Sequence, residues 1–285
     1  MSNVLLLCGP TGFEAADDRS HLWAGTGLYA AASAAAFAPC QLWARAGDAL
    51  TESAAEMLER NRIDPAGLGA EGPSPRFGGD TPAQGPFLPE VEPVNAEQLG
   101  AAAIIDLAPT EAARASRVIA ALPESGSRPV LIMPPADTDG DSLRAQAAQA
   151  TVLVVGAQQA AAALGIAEPL ACAEALLEAG ATAVLVTAGA FGGIMAYKGK
   201  RTAWPCLPSP SLATSGHARA VFAGAMAGQL AQLGRIDFRN GKRFVATASA
   251  VAGAFARKPG PKQLMQLDHA AAQGQFLQMR RNAKY

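Results

Sequence analysis

Short runs of apolar residues alternate with longer alanine-rich stretches along this chain. Five apolar runs of four to six residues end at or near a Gly, a Pro or a turn: 4–7, 102–107, 130–133, 152–155 and 183–187. Four alanine-rich stretches are predicted as helices: 30–36, 110–122, 170–178 and 219–233. This alternation predicts a three-layer α/β fold, in which a mainly parallel sheet carries helices on both faces. Such sheets bind ligands beyond the carboxyl ends of their strands.

Composition supports one large domain and excludes several classes of site. The chain has 285 residues, half of them apolar, which is enough for a single large core. Its formal net charge of −1 gives no general argument for nucleic-acid binding. Cys8, Cys40, Cys172 and Cys206 are widely spaced, which disfavours a zinc site or a disulfide framework. The apolar run at 4–7 is too short for a signal or membrane segment, so we predict a cytoplasmic protein without membrane contact.

Positive charge is concentrated in the C-terminal part of the chain. From Arg235 onward there are ten Lys and Arg against two Asp, a net charge of +8, so the rest of the chain carries −9. We divide the chain into a main domain, 1–262, and a C-terminal helix with a basic tail, 263–285. An apolar stripe on this helix is predicted from Leu264, Leu267, Ala271, Phe276 and Met279. Two interpretations stay open: docking to a protein or polyanion partner, or packing on the chain's own domain.

The segment LATSGHARAVFAG, 212–224, combines small residues with the start of a predicted helix. A glycine-rich turn that opens a helix offers free backbone amides and the positive end of the helix dipole, which together make an anion site. The segment resembles the DTTGAGDAFxGG motif of the ribokinase, or PfkB, family of carbohydrate kinases. The matching positions are Thr214, Ser215, Gly216, Ala220 and Gly224. The resemblance implies a ribokinase-like fold with a nucleotide and a sugar or nucleoside bound beside this turn.

Arg219 stands where the resemblance places the catalytic aspartate. Phosphoryl transfer to an alcohol needs an acceptor for the hydroxyl proton. A guanidinium is a permanent cation without an acceptor atom, so Arg219 cannot do this. His217, two residues earlier, is a candidate substitute base, because a neighbouring cation favours its neutral form.

Three further segments resemble parts of the same family. Residues 23–49 are similar to the family segment whose glycine pair closes over the sugar. Gly25 and Gly27 remain at that place here. Residues 179–201 are similar to its strand, TxGxxG turn and strand, where the turn lies against nucleotide phosphates. Residues 243–261 resemble the helix that flanks the adenine. The implied cofactor-binding residues are Thr187, Gly189, Gly192, Ser215 and Gly216, with ATP as the cofactor.

A second motif of the family also lacks its acidic residue in this chain. Gly156 and Gln159 occupy the Asn and Glu positions of its NxxE motif, which organises magnesium around the phosphates. Magnesium prefers carboxylate and water oxygens, so we predict no metal site here. In the early loop, Asp17 and Asp18 are candidates for binding substrate hydroxyls, and two solvated loop acids are the equal alternative.

A span rich in proline and glycine, 72–93, lies where the resemblance implies a β lid. Six prolines and four glycines argue against long strands, so the lid is predicted to be reduced or absent. Members of the family often dimerise through this lid. Whether this chain forms a homodimer stays open.

Three functions remain from the sequence. The favoured hypothesis is a degenerate kinase that serves as a binding or scaffold module and retains nucleotide or anion binding. The second is an active, divergent ATP-dependent sugar or nucleoside kinase. The third is an interaction subunit that binds no small molecule.

Overall fold

A computed structural model describes the chain at residues 4–14, 22–47, 50–72, 74–77, 86–90, 99–122, 128–206, 216–257 and 264–282. Asp17, Asp18 and Ser215 lie outside these residues, as do 78–85 and 91–93 of the predicted lid span.

Thirteen strands and nine α-helices occur within the described residues. The strands are β1 Val4–Cys8, β2 Gly12–Glu14, β3 Leu22–Ala24, β4 Cys40–Arg45, β5 Ile63–Asp64, β6 Leu68–Gly69, β7 Arg76–Phe77, β8 Leu99–Ile105, β9 Val130–Met133, β10 Val152–Gly156, β11 Ala183–Thr187, β12 Gly193–Tyr197 and β13 Lys200–Trp204. The helices are α1 Thr26–Ala34, α2 Glu52–Arg60, α3 Pro109–Ala121, α4 Gly140–Gln149, α5 Ala157–Leu164, α6 Pro169–Glu178, α7 Gly216–Leu233, α8 Phe238–Arg257 and α9 His269–Asn282.

A ten-stranded, mainly parallel sheet forms the centre of the fold. Its order is β13-β12-β11-β10-β9-β8-β1-β4-β5, with β6 also paired to β4. Only β12 and β13 run antiparallel to their neighbours among these pairings. The predicted α/β class is confirmed. All five apolar runs become strands, and four parallel strands with a common direction, β8 to β11, line up their carboxyl ends.

The strands bury both faces, which makes the sheet the middle of three layers. Along β10, Val152 and Val154 point to one core, whereas Leu153 and Val155 point to the other. The first core also contains residues of α1, α2, α7 and α8, and the second contains residues of α3 to α6. Burial on both sides explains why these strands read as continuous apolar runs rather than as alternating ones.

Three short strands form a second sheet. Strands β2, β3 and β7 pair in the order β3-β2-β7, and each has two or three residues. Within the described residues of the predicted Pro/Gly-rich span, Arg76–Phe77 form one two-residue strand that pairs with β2. The return segment 86–90 is fastened to α3: Glu111 accepts hydrogen bonds from the backbone N–H groups of Phe87 and Leu88, at 2.6 and 3.0 Å.

Two helices in the first core layer, α1 and α7, approach each other unusually closely. Every residue of α1 is buried. A Cβ added at Gly224 would lie 2.5 Å from the Ala30 Cα, and one added at Gly228 would lie 2.5 Å from the Ala34 carbonyl oxygen. Ser33 Oγ donates hydrogen bonds to the carbonyl oxygens of Ala30, at 3.0 Å, and of Val221, at 2.9 Å. The small-residue composition of both helices therefore has a packing reason.

The C-terminal helix α9 packs on α8. Met279 forms a small buried cluster with Ala250, and Phe276 packs against it. The predicted stripe is wrong at Ala271, which is exposed; its neighbour Ala272 is fully buried in the main core instead. The reason is the rotation of α9, which turns position 272 and not 271 toward the domain.

Within the described residues, no single helix has both the length and the apolar composition needed to cross a membrane. The pair α5 and α6 reaches that threshold only when joined across a 65° bend.

The contact between α1 and α7 predicts the effect of a minimal substitution. Gly224→Ala should lower the free energy of unfolding by about 1–3 kcal/mol, because the added methyl group meets backbone that cannot move aside. Gly274→Ala is the matched control. Gly274 also lies within a helix, no atom lies within 4 Å of its added Cβ, and alanine there should gain up to about 1 kcal/mol. Urea denaturation measures both, and equal stabilities would contradict the packing argument.

Candidate functional site

The candidate site lies at the carboxyl edge of the central sheet. Strands β8 to β11 end side by side there, and α7 begins at Gly216 over the same edge. The structure thus brings together Gly156, Gln159, Thr187 and Arg219, which are separated by up to 63 positions in the chain. Parallel strands place their carboxyl ends at one edge, which explains why distant segments meet here.

Gln159 is held in one orientation at the start of α5. Its Oε1 accepts a hydrogen bond from the Gly156 backbone N–H, at 3.3 Å. Its Nε2 donates to the carbonyl oxygens of Pro134, at 3.5 Å, and Pro135, which follow β9. The side chain is buried, so these partners fix which end of the amide faces the site.

Arg219 completes this arrangement from α7. Its Nη1 donates a hydrogen bond to Gln159 Oε1, at 2.6 Å, and its Nη2 donates to the Pro134 carbonyl oxygen, at 3.3 Å. Gly156 leaves room for the guanidinium, because a Cβ at that position would be 3.3 Å from Nη1. Positions 156, 159 and 219, which the sequence analysis identified separately, form one hydrogen-bonded unit.

The Arg219 guanidinium is a poorly solvated cation. Burial lowers its pKa below the ordinary value for arginine, and the negative charge of Asp106 offsets part of that effect. Arginine has so high an intrinsic pKa that the group remains protonated at neutral pH. Its charge therefore acts on whatever enters the edge beside α7.

The residues at the α5 end of the site do not fit a magnesium ion. Position 156 has no side chain, position 159 offers a neutral amide, and the guanidinium of Arg219 lies against that amide. Within the described parts of the chain, no group of three or more His, Cys, Asp or Glu side chains converges on a common point. A divalent cation prefers carboxylate oxygens and is repelled by a fixed cation.

Asp106 is a site residue that the sequence analysis missed. The predicted strand ran to residue 107, but β8 ends at Ile105 and Asp106 has a left-handed φ of 54°. The left-handed backbone ends the strand, although the Asp106 N–H still donates to the Met133 carbonyl oxygen of β9, at 2.7 Å. The half-buried carboxylate accepts a hydrogen bond from Thr26 Oγ1, at 3.0 Å. An acid directly after a buried apolar run was the available signal.

The glycines near the start of α1 shape the same region. Gly25 has a φ of 106°, and the Gly27 N–H donates to the Pro10 carbonyl oxygen, at 2.8 Å. A Cβ at Gly27 would lie 2.5 Å from the Gly9 carbonyl oxygen, so only glycine permits this approach. Thr26, between them, is the donor to Asp106.

A tight turn follows β11 at the sheet edge. Thr187 Oγ1 donates to the Val155 carbonyl oxygen, at 3.3 Å, and residues Gly189–Phe191 form a short 3-10 turn. Gly189 and Gly192 have positive φ values of 57° and 87°, and the Ala188 N–H closes the turn on the Gly192 carbonyl oxygen, at 2.7 Å. Phe191 projects from this turn with 87% of its surface exposed. The N–H groups of Phe191 and Gly192 also donate within the turn, to the carbonyl oxygens of Ala188 and Gly189, each at 3.1 Å.

His217 faces a different part of the structure from Arg219. Two residues along an α-helix differ by roughly 200° in direction, so their side chains project from opposite sides. The His217 ring lies 4.5 Å from the Tyr29 ring on α1, measured between centroids, and Tyr29 in turn contacts Phe255 on α8.

The four cysteines form no disulfide. Cys8, Cys40 and Cys172 are buried and Cys206 is partly exposed. Burial raises the pKa of the Cys8 and Cys40 thiols, which keeps them protonated and unreactive.

Comparison with known proteins identifies the fold. No protein-family model matches this chain, and no curated protein matches it in sequence. Solved structures do match. Fructokinase from Xylella fastidiosa with bound ATP is 12% identical, with a TM-score of 0.74, and each chain covers 100% of the other. Fructokinase from Vibrio cholerae, in a form that binds fructose, ADP and calcium, is 16% identical, with a TM-score of 0.73 over 97% of this chain and 99% of that one.

Aminoimidazole riboside kinase from Salmonella enterica, complexed with aminoimidazole riboside and an ATP analogue, is 16% identical. Its TM-score is 0.70 over 93% of this chain and 99% of the other. These structures share an architecture with the chain described above, at identities that speak for the fold alone. The chain therefore has the ribokinase-like fold of the sugar and nucleoside kinases.

Proposed function

We propose that this protein binds a nucleotide or another anion on a ribokinase-like fold without transferring a phosphoryl group. The observation that carries the proposal is the 2.6 Å hydrogen bond from Arg219 Nη1 to Gln159 Oε1. It joins the position of the expected base to the position of an expected metal ligand through a cation and a neutral amide. Neither group accepts a hydroxyl proton, and together they occupy space that an acid and a metal would need.

Anion binding is supported by what remains at the edge. The first turn of α7 offers backbone N–H groups that have no partner within the helix, and Arg219 adds a fixed positive charge. The similar structures named above contain ATP, ADP or an ATP analogue. The phosphates of a nucleotide fit this donor set without a metal ion, because backbone amides and a guanidinium both stabilise anionic oxygens.

An active sugar or nucleoside kinase is the second candidate function, and Asp106 is the observation that favours it. Its carboxylate lies on the same edge and acts electrostatically on Arg219. A carboxylate is an adequate general base when it reaches the reacting hydroxyl. His217 is a weaker candidate base, since it stacks on Tyr29 on the opposite side of α7 from Arg219.

A partner surface is the third element of the proposal. The ammonium groups of Lys200 and Lys242 both lie over the Phe238 ring, at 5.8 and 5.3 Å from its centroid. Asp237 beside them is engaged in capping α8, where it accepts from the backbone N–H groups of Arg239 and Asn240, each at 2.8 Å. We propose that this basic surface, together with the exposed basic end of α9, contacts an acidic protein segment.

Phosphoryl transfer provides the first test. With ATP and magnesium, the purified protein should release no ADP above background across a panel of fructose, ribose and nucleosides. Arg219→Asp alone should not restore turnover, because Gln159 and Gly156 still lack the metal ligands. A variant that combines Arg219→Asp with Gln159→Glu and Gly156→Asn is the positive design, since restoring a general base is worth roughly 100- to 10,000-fold. If the unmodified protein phosphorylated a sugar or nucleoside and Asp106→Asn did not, the second candidate function, an active kinase with Asp106 as its base, would be established.

Nucleotide binding provides the second test. Calorimetry should show ATP binding whose affinity changes by less than roughly twofold between magnesium and EDTA, because no metal site contributes. Gly192→Ala should weaken binding by about tenfold or more, since it distorts the phosphate turn. Gly199→Ala is the matched control, because Gly199 also has a positive φ, 76°, but lies in the β12–β13 hairpin turn. No binding of ATP, ADP or inorganic phosphate would contradict the proposal.

The partner surface predicts a salt-dependent interaction. Polyglutamate should bind the protein at low ionic strength and lose affinity steeply as salt is raised, because exposed charges are screened. The double variant Lys200→Glu/Lys242→Glu should abolish this binding. Arg60→Glu is the control, since Arg60 is an exposed cation on α2, in the opposite half of the chain. Equal retention of the two variants on immobilised polyglutamate would refute the assignment.

A further inference from the structure

Strand β13 is one edge of the central sheet. It pairs with β12 on one side, and no strand lies beyond it among the described residues. An edge strand leaves a row of backbone N–H and C=O groups unpaired, which another extended chain can use. Lys200, Arg201 and Ala203 of this strand are exposed. The outer side of β13 is therefore open over most of its length, as far as the described chain shows.

The turn between β12 and β13 determines the pairing of the two strands. Lys198 and Gly199 form a two-residue turn with φ values of 44° and 76°, as in a type I′ hairpin. The turn places Tyr197 opposite Lys200. In such a turn the carbonyl oxygen of the first residue accepts a hydrogen bond from the N–H of the fourth. Tyr197 and Lys200 are therefore a hydrogen-bonded pair, and the backbone of Lys200 faces β12.

Two residues of β13 face away from β12 through their backbone. Bonded and non-bonded pairs alternate along antiparallel strands, so Thr202 and Trp204 bond to β12 as Lys200 does. Arg201 and Ala203 lie between them and direct their N–H and C=O groups outward. Thr202 Oγ1 donates to the Ala203 carbonyl oxygen, at 3.3 Å, and that oxygen keeps a second lone pair. No other backbone partner of these two outward residues occurs in the described parts of the chain.

The open edge ends at Pro205. Position 205 continues the outward series after 201 and 203, and proline has no N–H to offer an added strand. Its carbonyl oxygen accepts a hydrogen bond from Ser249 Oγ of α8, at 3.0 Å. The outward groups of Arg201 and Ala203 thus form a short site with a defined end.

Cationic side chains flank this edge on both faces of the sheet. On the α8 face, the ammonium groups of Lys200 and Lys242 lie over the Phe238 ring. On the opposite face, Arg201 forms an ion pair with Glu174 of α6. Like charges on paired strands repel, which disfavours pairing of β13 with the same strand of a second copy. The same cations attract carboxylate side chains on an incoming strand.

We propose that an acidic, extended segment of a partner protein adds to β13 as a further strand and bonds to the outward backbone groups of Arg201 and Ala203. The inference rests on the proposed partner surface and names the conformation in which its acidic partner binds. In strand addition, the backbone hydrogen bonds provide affinity and the alternate side chains provide specificity. Carboxylates at every second position of the added strand lie on one face, where Lys200 and Lys242 are.

The decisive experiment uses three peptides of roughly six residues, the length of an ordinary strand, in which Glu and Thr alternate. All have acetylated and amidated ends. The parent peptide keeps every N–H; a second carries N-methyl groups on its Glu amides, and a third carries them on its Thr amides. Successive N–H groups of a strand point to opposite sides, so only one methylated set faces β13.

Calorimetry on the full chain at low ionic strength measures the three affinities. One methylated peptide should bind like the parent, and the other should bind about tenfold or more weakly because its inward N–H groups are lost. The two methylated peptides carry the same charge and the same number of methyl groups, so each is the control for the other. Equal affinity of the two would overturn the proposal.

Amide hydrogen exchange locates the site on the protein. In the free protein, the N–H groups of Arg201 and Ala203 should exchange about tenfold or more faster than those of Lys200 and Thr202, because only the latter are bonded to β12. The parent peptide should slow exchange at Arg201 and Ala203 and leave Lys200 and Thr202 unchanged. Exchange in the free protein that is equally slow at all four residues would mean that the edge is already paired, and the inference would be wrong.

A proline variant tests the edge from the side of the protein. Ala203→Pro removes one outward N–H and no bond to β12, and edge strands tolerate proline at such positions. It should weaken binding of the parent peptide about tenfold while its melting temperature stays close to that of the unmodified protein. Ala203→Val keeps the N–H, suits a strand and is the matched control. Equal binding by the two variants contradicts strand addition. Should Ala203→Pro fail to fold, the methylated peptides on the unmodified protein still decide.

The outcomes also separate this inference from the proposed partner surface. If polyglutamate binds through Lys200 and Lys242 but the two methylated peptides bind equally, strand addition alone is wrong. If neither polyglutamate nor the parent peptide binds at low ionic strength, the partner surface fails and the inference fails with it.

Discussion

The close packing of α7 on α1 is the constraint on which the geometry of the site depends. Gly224 and Gly228 allow the α7 backbone to approach Ala30 and Ala34. That contact leaves α7 one rotation about its own axis, because any other would bring a side chain into the α1 backbone. Side chains one or two turns earlier on α7 then point in set directions. Position 219 faces the sheet edge and position 217 faces the ring of Tyr29. The chemistry at the edge is thus decided by small residues that never touch a ligand.

At the edge itself, the residues at positions 156, 159 and 219 complement one another. The guanidinium of Arg219 and the amide of Gln159 are matched as donor and acceptor, and the bare backbone of Gly156 gives them room. The proline carbonyl groups after β9 bind both side chains. The resulting unit is polar, nearly buried and internally bonded, which gives it a defined shape instead of the mobility of an unpaired cation.

Much of the fold could be read from the sequence because the parallel strands are buried on both faces and are therefore continuous apolar runs. The strands of the second sheet escaped prediction, since segments of two or three residues carry no detectable period. Asp106 was assigned to a strand because the apolar run continues to Leu107, and only the left-handed backbone at Asp106 shows where the strand ends. Arg219 was found by its position in a motif. Its partner across sixty residues was not, because such a contact depends on strand order and helix rotation, which no local pattern contains.

The fixed orientation of Gln159 makes positions 159 and 219 depend on each other. Its Nε2 is committed to the carbonyl groups after β9, so its oxygen is presented toward α7. An acid placed at position 219 alone would set a carboxylate oxygen against the amide oxygen. An acid placed at position 159 alone would form a tight ion pair with the arginine. A change at either position therefore alters the hydrogen bonding of the other, so the effects of the two substitutions should not add.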